Sequence, residues 1–406
     1  MQLKPIINSL MDQDLYKFSM GQMFFHQYTG AQAEWAFKCR NEGVTFSKEE
    51  VEEIKAQVDH YCTLRFDEKE LKELHKKCIW IHLDYLDFLR FWHPRREDIL
   101  VDDQAPCGLR IRTKGSQINV SPYETPLMAI VTEVHYRMSG HYDEMFEEFK
   151  AKTEQMIKDL KKAKYQLGCF SEFGFRRRLS YEAQDYFVKR FMEENMKDCG
   201  FIGTSDVHFA IKYDTMAVGS VGHEAIMLCG QAYPHQNPAY SNKFFMDSWV
   251  KEYGVLNGVA LTDTIGTDMF LKDFRRTFAT LFSGVRHDSG DPYAWAEKIL
   301  QKYKSYNIDP KTKTLLFSDS LDLERAHKLY QTYKDRCKVA FGIGTYLVGP
   351  VKGALNIVIK PVKFNGLPVA KLSDAPGKNM CEDRSYIDYL RRACSWRNEH
   401  PDQSQE

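Results

Sequence analysis

Residues 284–292 read GVRHDSGDP, and the order of residue types in this stretch decides the predicted fold. The apolar Val285 ends a strand-like run, a polar loop follows, and the residues from Pro292 onward have the apolar spacing of an amphipathic helix. The same order recurs from about residue 168, in strand-like runs that end near Phe170, Ile202, Val218, Leu261, Val285, Phe317 and Ile343. Repeats of strand, polar loop and helix are typical of parallel α/β structure, and about seven in series favour a closed barrel.

Two domains are predicted from this pattern. Residues 141–349 are expected to form the (β/α) barrel, and residues 1–140 an N-terminal α/β domain that is completed by about 350–406. The stretch at 355–372, LNIVIKPVKFNGLPVAKL, predicts two strands joined by an Asn365-Gly366 turn, because this dipeptide is a strong hairpin signal.

Two local patterns in the first segment predict further elements. Ser47 precedes the helix-like stretch KEEVEEIKAQVDHY and is a candidate N-cap. Residues 108–120, GLRIRTKGSQINV, alternate apolar and polar side chains on either side of Lys-Gly-Ser, which predicts a β-hairpin.

The charge balance bears on the class of partner. The 406-residue chain carries 56 basic and 56 acidic side chains. Nucleic acids and anionic membranes select clustered excess Lys and Arg, so neither is predicted as a partner. The first residues are broken by polar side chains before an apolar segment could form, so no secretory signal is predicted. Ten scattered cysteines without CxxC spacing indicate reduced thiols and a cytoplasmic location.

The polar residues that follow the strand-like runs are the candidate functional groups, because parallel barrels gather them at one face. In GVRHDSGDP, the N–H groups of the strand-to-helix loop and the Arg286 guanidinium could bind phosphate, and the alternative is an N-capped helix with surface ion pairs. His223 opens a helix-like stretch and is equally compatible with a structural or a catalytic role. Asp263 and Asp319 could bind sugar hydroxyls, a ring nitrogen or magnesium, or could cap the helix that follows each of them. The remaining candidates are the arginines of EFGFRRR (residues 172–178) and the glycines of GIGT (residues 342–345).

Several common enzyme motifs do not occur in the sequence. There is no GxSxG, HExxH or GxxxxGK[ST] pattern, and GIGT is not continued as the GxGxxG fingerprint of a dinucleotide site. A site rich in Arg, Asp, Gly and one His suits group transfer between phosphorylated substrates.

Taken together, the motifs resemble the nicotinate phosphoribosyltransferase family of bacteria over nearly the whole chain. The matching segments are SLMDQDLYKFSMGQMFFHQY (9–28), FGFRRRLSYEAQ (173–184), GTSD (203–206), GHE (222–224), ALTDTIGTDMFLKDF (260–274), RHDSGDP (286–292), KTLLFSDSLDL (313–323), FGIGT (341–345), LNIVIK (355–360) and GLPVAKLSDAPGK (366–378). The resemblance implies a distorted (β/α) barrel, a second α/β domain built from both ends of the chain, and a homodimer with interfacial active sites. It also implies transfer of a phosphoribosyl group from 5-phosphoribosyl-1-pyrophosphate to nicotinate, coupled to ATP hydrolysis and assisted by Mg²⁺.

The same resemblance implies residue roles. His223 would be phosphorylated by ATP, and Phe173 would stack on the pyridine ring, with Tyr16 of a neighbouring subunit closing over it. Arg176, Arg178 and Arg286 would bind carboxylate or phosphate groups. The other implied site residues are Asp288 and Asp263 for ribose hydroxyls or the ring, Thr204 and Ser205 beside the pyridine, and Ser318, Asp319, Gly342, Gly344 and Thr345 around the ribose 5-phosphate. No protein ligand to the metal is assigned, and Asp206 stands where an Asn is expected after Gly-Thr-Ser.

Other functions remain open from the residues alone. The pyridine substrate could be nicotinamide or quinolinate. An α/β barrel of this length could also be an aldolase, a glycosidase or a non-catalytic interaction module.

Overall fold

The structure is a computed structural model that describes residues 4–375 and 381–400, so part of the GLPVAKLSDAPGK match lies outside the described residues. Its strands are β1 (Gln32–Cys39), β2 (Ile99–Asp102), β3 (Arg110–Ser116), β4 (Phe170–Glu172), β5 (Phe201–Thr204), β6 (Met216–Ala217), β7 (Val259–Leu261), β8 (Gly284–His287), β9 (Thr314–Phe317), β10 (Lys338–Ile343), β11 (Ile357–Phe364) and β12 (Leu367–Pro368).

The α-helices follow most strands of the barrel. They are α1 (Leu15–Gln27), α2 (Lys48–Thr63), α3 (Glu68–Lys77), α4 (Leu83–Phe91), α5 (Gln117–Val120), α6 (Glu124–Met138), α7 (Tyr142–Lys161), α8 (Tyr181–Glu193), α9 (Val207–Lys212), α10 (His223–Gln231), α11 (Ser241–Tyr253), α12 (Thr267–Asp273), α13 (Arg276–Leu281), α14 (Pro292–Ser305), α15 (Leu323–Tyr333), α16 (Thr345–Val348) and α17 (Arg384–Glu399). Among the described residues, none of these helices is long and apolar enough to span a bilayer.

Seven strands form one parallel sheet in the order β6-β5-β4-β10-β9-β8-β7, and each contains or directly precedes one of the predicted strand ends. The predicted distorted barrel is therefore confirmed. Full closure is not found in the described chain, because its edge strands β6 and β7 are not paired with each other. Strand β6 has two residues, and the irregular segment 218–222 follows it. Side chains bridge this open side instead, as described below for Arg286 and His223.

Five strands form a second, antiparallel sheet in the order β12-β11-β1-β3-β2. Strands from both ends of the chain share it, as predicted for the second domain. Asn365 and Gly366 both have positive φ, of 50° and 78°, and join β11 to β12, which confirms the predicted turn. The domain boundaries at 140 and 349 stay a prediction, because one continuous apolar core includes Trp35 of this sheet and Val285 of the barrel.

The hairpin predicted for residues 108–120 is wrong. Residues 110–116 form the single strand β3, and helix α5 follows it directly. Gly115 pairs with Ala33 of β1 within the ladder rather than making a turn. A Cβ on Gly115 would lie 3.0 Å from Val120, so the absence of a side chain serves close packing. By contrast, the predicted Ser47 cap is confirmed: its hydroxyl accepts from the Glu50 N–H at 3.1 Å in a complete capping box.

Candidate active site

The carboxyl ends of the barrel strands bring His223, Asp263 and Asp288 together. His223 is the first residue of α10, and its Nε2 lies 2.9 Å from Oδ1 of Asp263 and 3.6 Å from Oδ2 of Asp288. Asp263 follows β7 and is fully buried. Lys371 reaches the same place from the segment after β12, with its Nζ 2.8 Å from Oδ2 of Asp263. Ser289 also donates a hydrogen bond to this oxygen.

These contacts settle which nitrogen of His223 carries the proton. Asp263 holds its other oxygen against Lys371 and therefore stays an acceptor, so Nε2 of His223 donates and Nδ1 keeps a free lone pair. Burial, reinforced by the charge of Lys371, lowers the pKa of His223 to about 4. Burial alone would raise the pKa of Asp263, but His223 and Lys371 outweigh it and hold that pKa well below its ordinary value. The pair is thus a neutral imidazole on an ionised carboxylate at neutral pH.

Arg286 and Ser318 arrange the second carboxylate of the site. Ser318 donates to Oδ1 of Asp288 at 3.1 Å, and the Arg286 guanidinium lies 3.9 Å from the same oxygen. Arg286 lowers the pKa of Asp288 against the opposing effect of burial. The guanidinium also donates to Ser220 at 2.7 Å, across the open side of the barrel. Its Nε is buried and has no hydrogen-bond partner among the described residues.

Phe173 packs against the glycines of GIGT. Its backbone N–H donates to Ile343 O at 2.9 Å, and its ring occupies the space that a Cβ on Gly342 would need. Gly344 is also close, since a Cβ there would lie 3.2 Å from Phe173 O. The absence of side chains on these glycines lets Phe173 lie against the loop, and their predicted role beside a phosphate stays a prediction. Two further predicted site residues are half-buried. Thr345 is the first residue of α16, and Asp319 follows β9.

Tyr16 lies at the site in its own chain. The backbone of Leu15 donates to Ser205 O at 2.8 Å, which fixes the start of α1 against the loop after β5. The Tyr16 ring then packs beside Gly222, next to the predicted phosphorylation site, and its hydroxyl donates to Oε2 of Glu124 at 3.3 Å. The Arg176 guanidinium lies 5.9 Å from the centre of this ring. These are contacts of Tyr16 within its own chain, and its predicted contribution to the site of a neighbouring subunit stays a prediction.

A buried set of charges supports this end of the site. Lys17 Nζ lies 2.6 Å from Glu124 and 2.7 Å from Glu224, and Arg176 lies 3.4 Å from Glu124. Sequence reasoning missed Lys17, Glu124, Glu224 and Lys371 as functional residues. Three of the four lie inside the matching segments DLYKF, GHE and AKLSD, so a residue-by-residue reading of those segments was the available signal.

Arg178 and Thr204, two of the predicted site residues, make structural contacts inside the protein. Arg178 is fully buried, and its guanidinium donates two hydrogen bonds, of 2.7 and 2.9 Å, to the carboxylate of Asp12. Thr204 is also fully buried and donates to Glu172 at 2.6 Å. These groups hold the N-terminal segment and the loop after β5 in place, whereas Arg176 keeps 43% of its side chain exposed.

The loop after β5 ends in Ser205 and Asp206. The Ser205 hydroxyl donates to Asp14, and Asp206 accepts from the Phe209 N–H at 3.3 Å as the cap of α9. Burial and the neighbouring Asp12 raise the pKa of Asp206 well above its ordinary value. Asp206 is thus a buried capping residue.

The strand ends of this parallel α/β barrel carry a histidine paired with a carboxylate, an exposed arginine, a second arginine beside Asp288 and an aromatic ring. This combination is typical of an enzyme that acts on anionic substrates. Residues 169–397 match the model of the nicotinate phosphoribosyltransferase family, and residues 11–132 match the model of its N-terminal domain. The chain belongs to the nicotinate phosphoribosyltransferase family. The family and the enzyme class predicted from the sequence are confirmed, and the aldolase, glycosidase and non-catalytic alternatives are set aside.

Individual relatives agree with this assignment. Nicotinate phosphoribosyltransferase of Ralstonia nicotianae is 38% identical over 95% of this chain and 98% of its own length. That of Cupriavidus necator is 39% identical over 96% and 98%. Among solved structures, nicotinate phosphoribosyltransferase of Porphyromonas gingivalis superposes with a TM-score of 0.87 at 32% identity, over 96% of this chain and 100% of that one. That of Vibrio cholerae superposes with a TM-score of 0.88 at 32% identity, over 96% and 94%.

Proposed function

We propose that the chain transfers the phosphoribosyl group of 5-phosphoribosyl-1-pyrophosphate to nicotinate in NAD salvage, coupled to ATP hydrolysis through phosphorylation of His223. The products are nicotinate mononucleotide and pyrophosphate. The observation that carries the coupling is the hydrogen bond from Nε2 of His223 to Asp263, because it leaves Nδ1 as the nucleophile.

Phosphorylation of His223 is a displacement of ADP from the γ-phosphorus of ATP. Nδ1 of His223 attacks the γ-phosphorus of ATP, a nitrogen–phosphorus bond forms, and ADP leaves with the electron pair of the broken bond. Asp263 stabilises the positive charge that the ring gains, and Lys371 keeps Asp263 ionised. Water later removes the phosphoryl group as inorganic phosphate, which returns the histidine to its starting state.

Magnesium fits the carboxylates of this face. Asp288 is half-buried and held ionised by Arg286, and oxygen ligands of this kind are those that Mg²⁺ prefers. Asp288 would hold the ion together with substrate oxygens, since Lys371 already neutralises Asp263. The bound ion supplies positive charge that offsets the charge of the phosphates.

For the transfer step, the side chains position the substrates and neutralise the leaving group. Phe173 stacks on the pyridine ring, Tyr16 closes the opposite side, and Arg176 binds the nicotinate carboxylate. The phosphoribosyl end lies along Arg286, Asp288, Ser318, Asp319, Gly342, Gly344 and Thr345. The ring nitrogen of nicotinate is unprotonated at neutral pH, so no general base is required, and the rate comes from alignment and electrostatics.

The homodimer and the cytoplasmic location belong to the same proposal. The dimer follows from the resemblance of the sequence to the family. The ten cysteines are all unpaired, which suits the reducing cytoplasm.

The proposal is tested by a product assay. Purified protein is given 5-phosphoribosyl-1-pyrophosphate with nicotinate, nicotinamide or quinolinate, with and without ATP and Mg²⁺, and mononucleotide formation is measured. Nicotinate should be the preferred acceptor, and ATP should increase turnover and be hydrolysed to ADP. Equal turnover without ATP, together with no ADP formation, would refute the coupling and leave the transfer reaction standing.

A further inference from the structure

A second cluster of metal-ligating side chains joins three helical elements outside the site described above. His26 lies at the end of α1, His82 is the residue before α4, and Glu252 lies at the end of α11. One ring nitrogen of each histidine and one carboxylate oxygen of Glu252 all lie within 4.8 Å of one another. The residues come from distant parts of the chain, so the fold itself brings the three donors together.

Two side-chain amides fix the orientation of the Glu252 carboxylate through hydrogen bonds. Its side chain is only 4% exposed. Gln22 donates to Oε1 at 2.9 Å and Gln27 donates to Oε2 at 3.0 Å. Metal-binding carboxylates are characteristically fixed in this way by hydrogen bonds from outside the ligand set.

His26 is oriented by Asp84. Its Nε2 lies 3.1 Å from Oδ2 of Asp84, and its Nδ1 lies 2.6 Å from Oε1 of Glu252. When Nε2–H donates to Asp84, the Nδ1 lone pair faces the oxygen of Glu252. Two such acceptors need a proton or a metal ion between them. The pairing of a carboxylate with the outer nitrogen of a ligating histidine is common at zinc sites.

His82 supplies the third donor. Its ring centre lies 5.5 Å from that of His26, and no hydrogen bond of its imidazole is found among the described residues. Its backbone N–H donates at 2.7 Å to Gln22, the same side chain that holds Glu252. The ring can therefore turn without disturbing the chain around it.

We propose that His26 Nδ1, His82 and Glu252 bind a zinc ion, with a water molecule in the fourth position. Two imidazoles and one carboxylate are a recurrent zinc donor set, whereas Mg²⁺ prefers an all-oxygen set. Zinc bonds of about 2.0–2.1 Å place tetrahedral ligand atoms roughly 3.3 Å apart. The three donor atoms lie within 4.8 Å of one another, so the two farthest apart must approach by up to roughly 1.5 Å. Rotation of the two rings supplies that movement. The ion ties α1 and the start of α4 to α11.

The test measures zinc affinity in the full-length protein after metal removal, by competition with a chromogenic chelator. The His223→Asn variant is the background, because it weakens the other cluster, that of His223, Asp263 and Asp288. One zinc ion should bind this background, and adding His82→Gln should weaken its binding at least ~10-fold. His141→Gln is the matched control, since His141 is an exposed histidine beside Glu144 at 3.4 Å and belongs to neither cluster.

Two further readouts separate a built site from scattered surface binding. Zinc should raise the Tm of the wild-type protein and of His141→Gln but not that of His82→Gln, and Mg²⁺ should not substitute. Without zinc, His82→Gln should keep the wild-type Tm and transferase activity. Equal zinc affinity with and without His82, or loss of all zinc binding in His223→Asn, would overturn the proposal.

Discussion

Nε2 of His223 donates to Oδ1 of Asp263 over 2.9 Å, and this one hydrogen bond decides which nitrogen of the histidine is free. Because the free atom is Nδ1, the residue is set up as a nucleophile toward phosphorus. Lys371, on the other oxygen of Asp263, keeps the carboxylate ionised and the imidazole neutral.

Replacing the nucleophile should abolish phosphorylation. With ATP labelled at the γ-phosphate, the wild-type protein should acquire label that acid removes and base does not, and His223→Asn should acquire none. We expect the variant to keep slow transfer that ATP no longer stimulates, because Phe173, Arg176 and Arg286 stay in place. Full labelling of the variant would assign the phosphoryl acceptor to another residue.

Replacing Lys371 by Met should change the pH dependence of labelling. The pKa of His223 is about 4, so the wild-type imidazole is neutral, and labelling should not fall until the pH approaches that value. Lys371 contributes to this low pKa through its charge, and its removal should move the pKa upward, toward the ordinary 6.5. Burial still lowers the pKa in the variant, so labelling of Lys371→Met should begin to decline at a higher pH than labelling of the wild type, but below 6.5.

The conservative variant provides the control for this pH effect. Lys371→Arg keeps the charge and should keep the wild-type profile. A profile of Lys371→Met that matches the wild type would show that the charge of Lys371 does not act on His223.

A methyl group on Gly342 should displace the Phe173 ring. The added Cβ would overlap that ring, and overpacking of this kind costs about 1–3 kcal/mol. Gly342→Ala should raise the KM for nicotinate by roughly tenfold while 5-phosphoribosyl-1-pyrophosphate binding changes less. Gly30→Ala is the matched control, because no atom of the described residues lies within 4 Å of a Cβ there. An unchanged KM would remove Phe173 from the pyridine site.

Substitution of Arg178 should lower the stability of the protein, whereas substitution of Arg176 should weaken the binding of nicotinate. Breaking the buried pair of Arg178 with Asp12 should lower the free energy of unfolding by about 3–5 kcal/mol, as measured by urea denaturation of Arg178→Met. Arg176→Met should cost much less stability because its side chain is 43% exposed, but it should raise the KM for nicotinate. Equal stability losses would contradict the division of roles.

These two arginines also show where sequence reasoning stops. The run FGFRRR predicts a cationic loop. In the structure, residues 175–177 form a short 3₁₀ turn, after which Arg178 is fully buried, while Arg176 stays partly exposed. The strand ends and the Asn365-Gly366 turn were predictable because they depend on local patterns. Lys371 was not, because its place beside Asp263 depends on how the C-terminal segment returns to the barrel.

The same limit applies to Gly115 and Tyr16. Gly115 looked like a turn residue, but its strand partner lies far away in the sequence, on β1. For Tyr16, the packing of residues 11–15 along the loop after β5 depends on a long-range contact, and it places the ring beside Gly222 of the same chain. The contribution of Tyr16 to a neighbouring subunit's site stays a prediction.

The last prediction concerns the choice between nicotinate and nicotinamide, which differ in charge. Arg176 offers an exposed cation to the nicotinate carboxylate, and Ser205 adds no charge of its own beside Asp14. The wild-type kcat/KM for nicotinate should therefore exceed that for nicotinamide by at least ~100-fold. In Ser205→Asp, a carboxylate about 4 Å from the nicotinate anion would repel it by about 4 kcal/mol at an effective dielectric constant of about 20, roughly a thousandfold.

That repulsion should act on one substrate only. Ser205→Asp should weaken nicotinate and leave nicotinamide nearly unchanged, so the ratio of the two kcat/KM values shrinks. Ser205→Asn is the control, since it has nearly the same shape as Asp without the charge and separates repulsion from steric effects. If Asn and Asp at this position reduce the ratio equally, the selectivity arises from the shape of the loop after β5, and the charge argument fails.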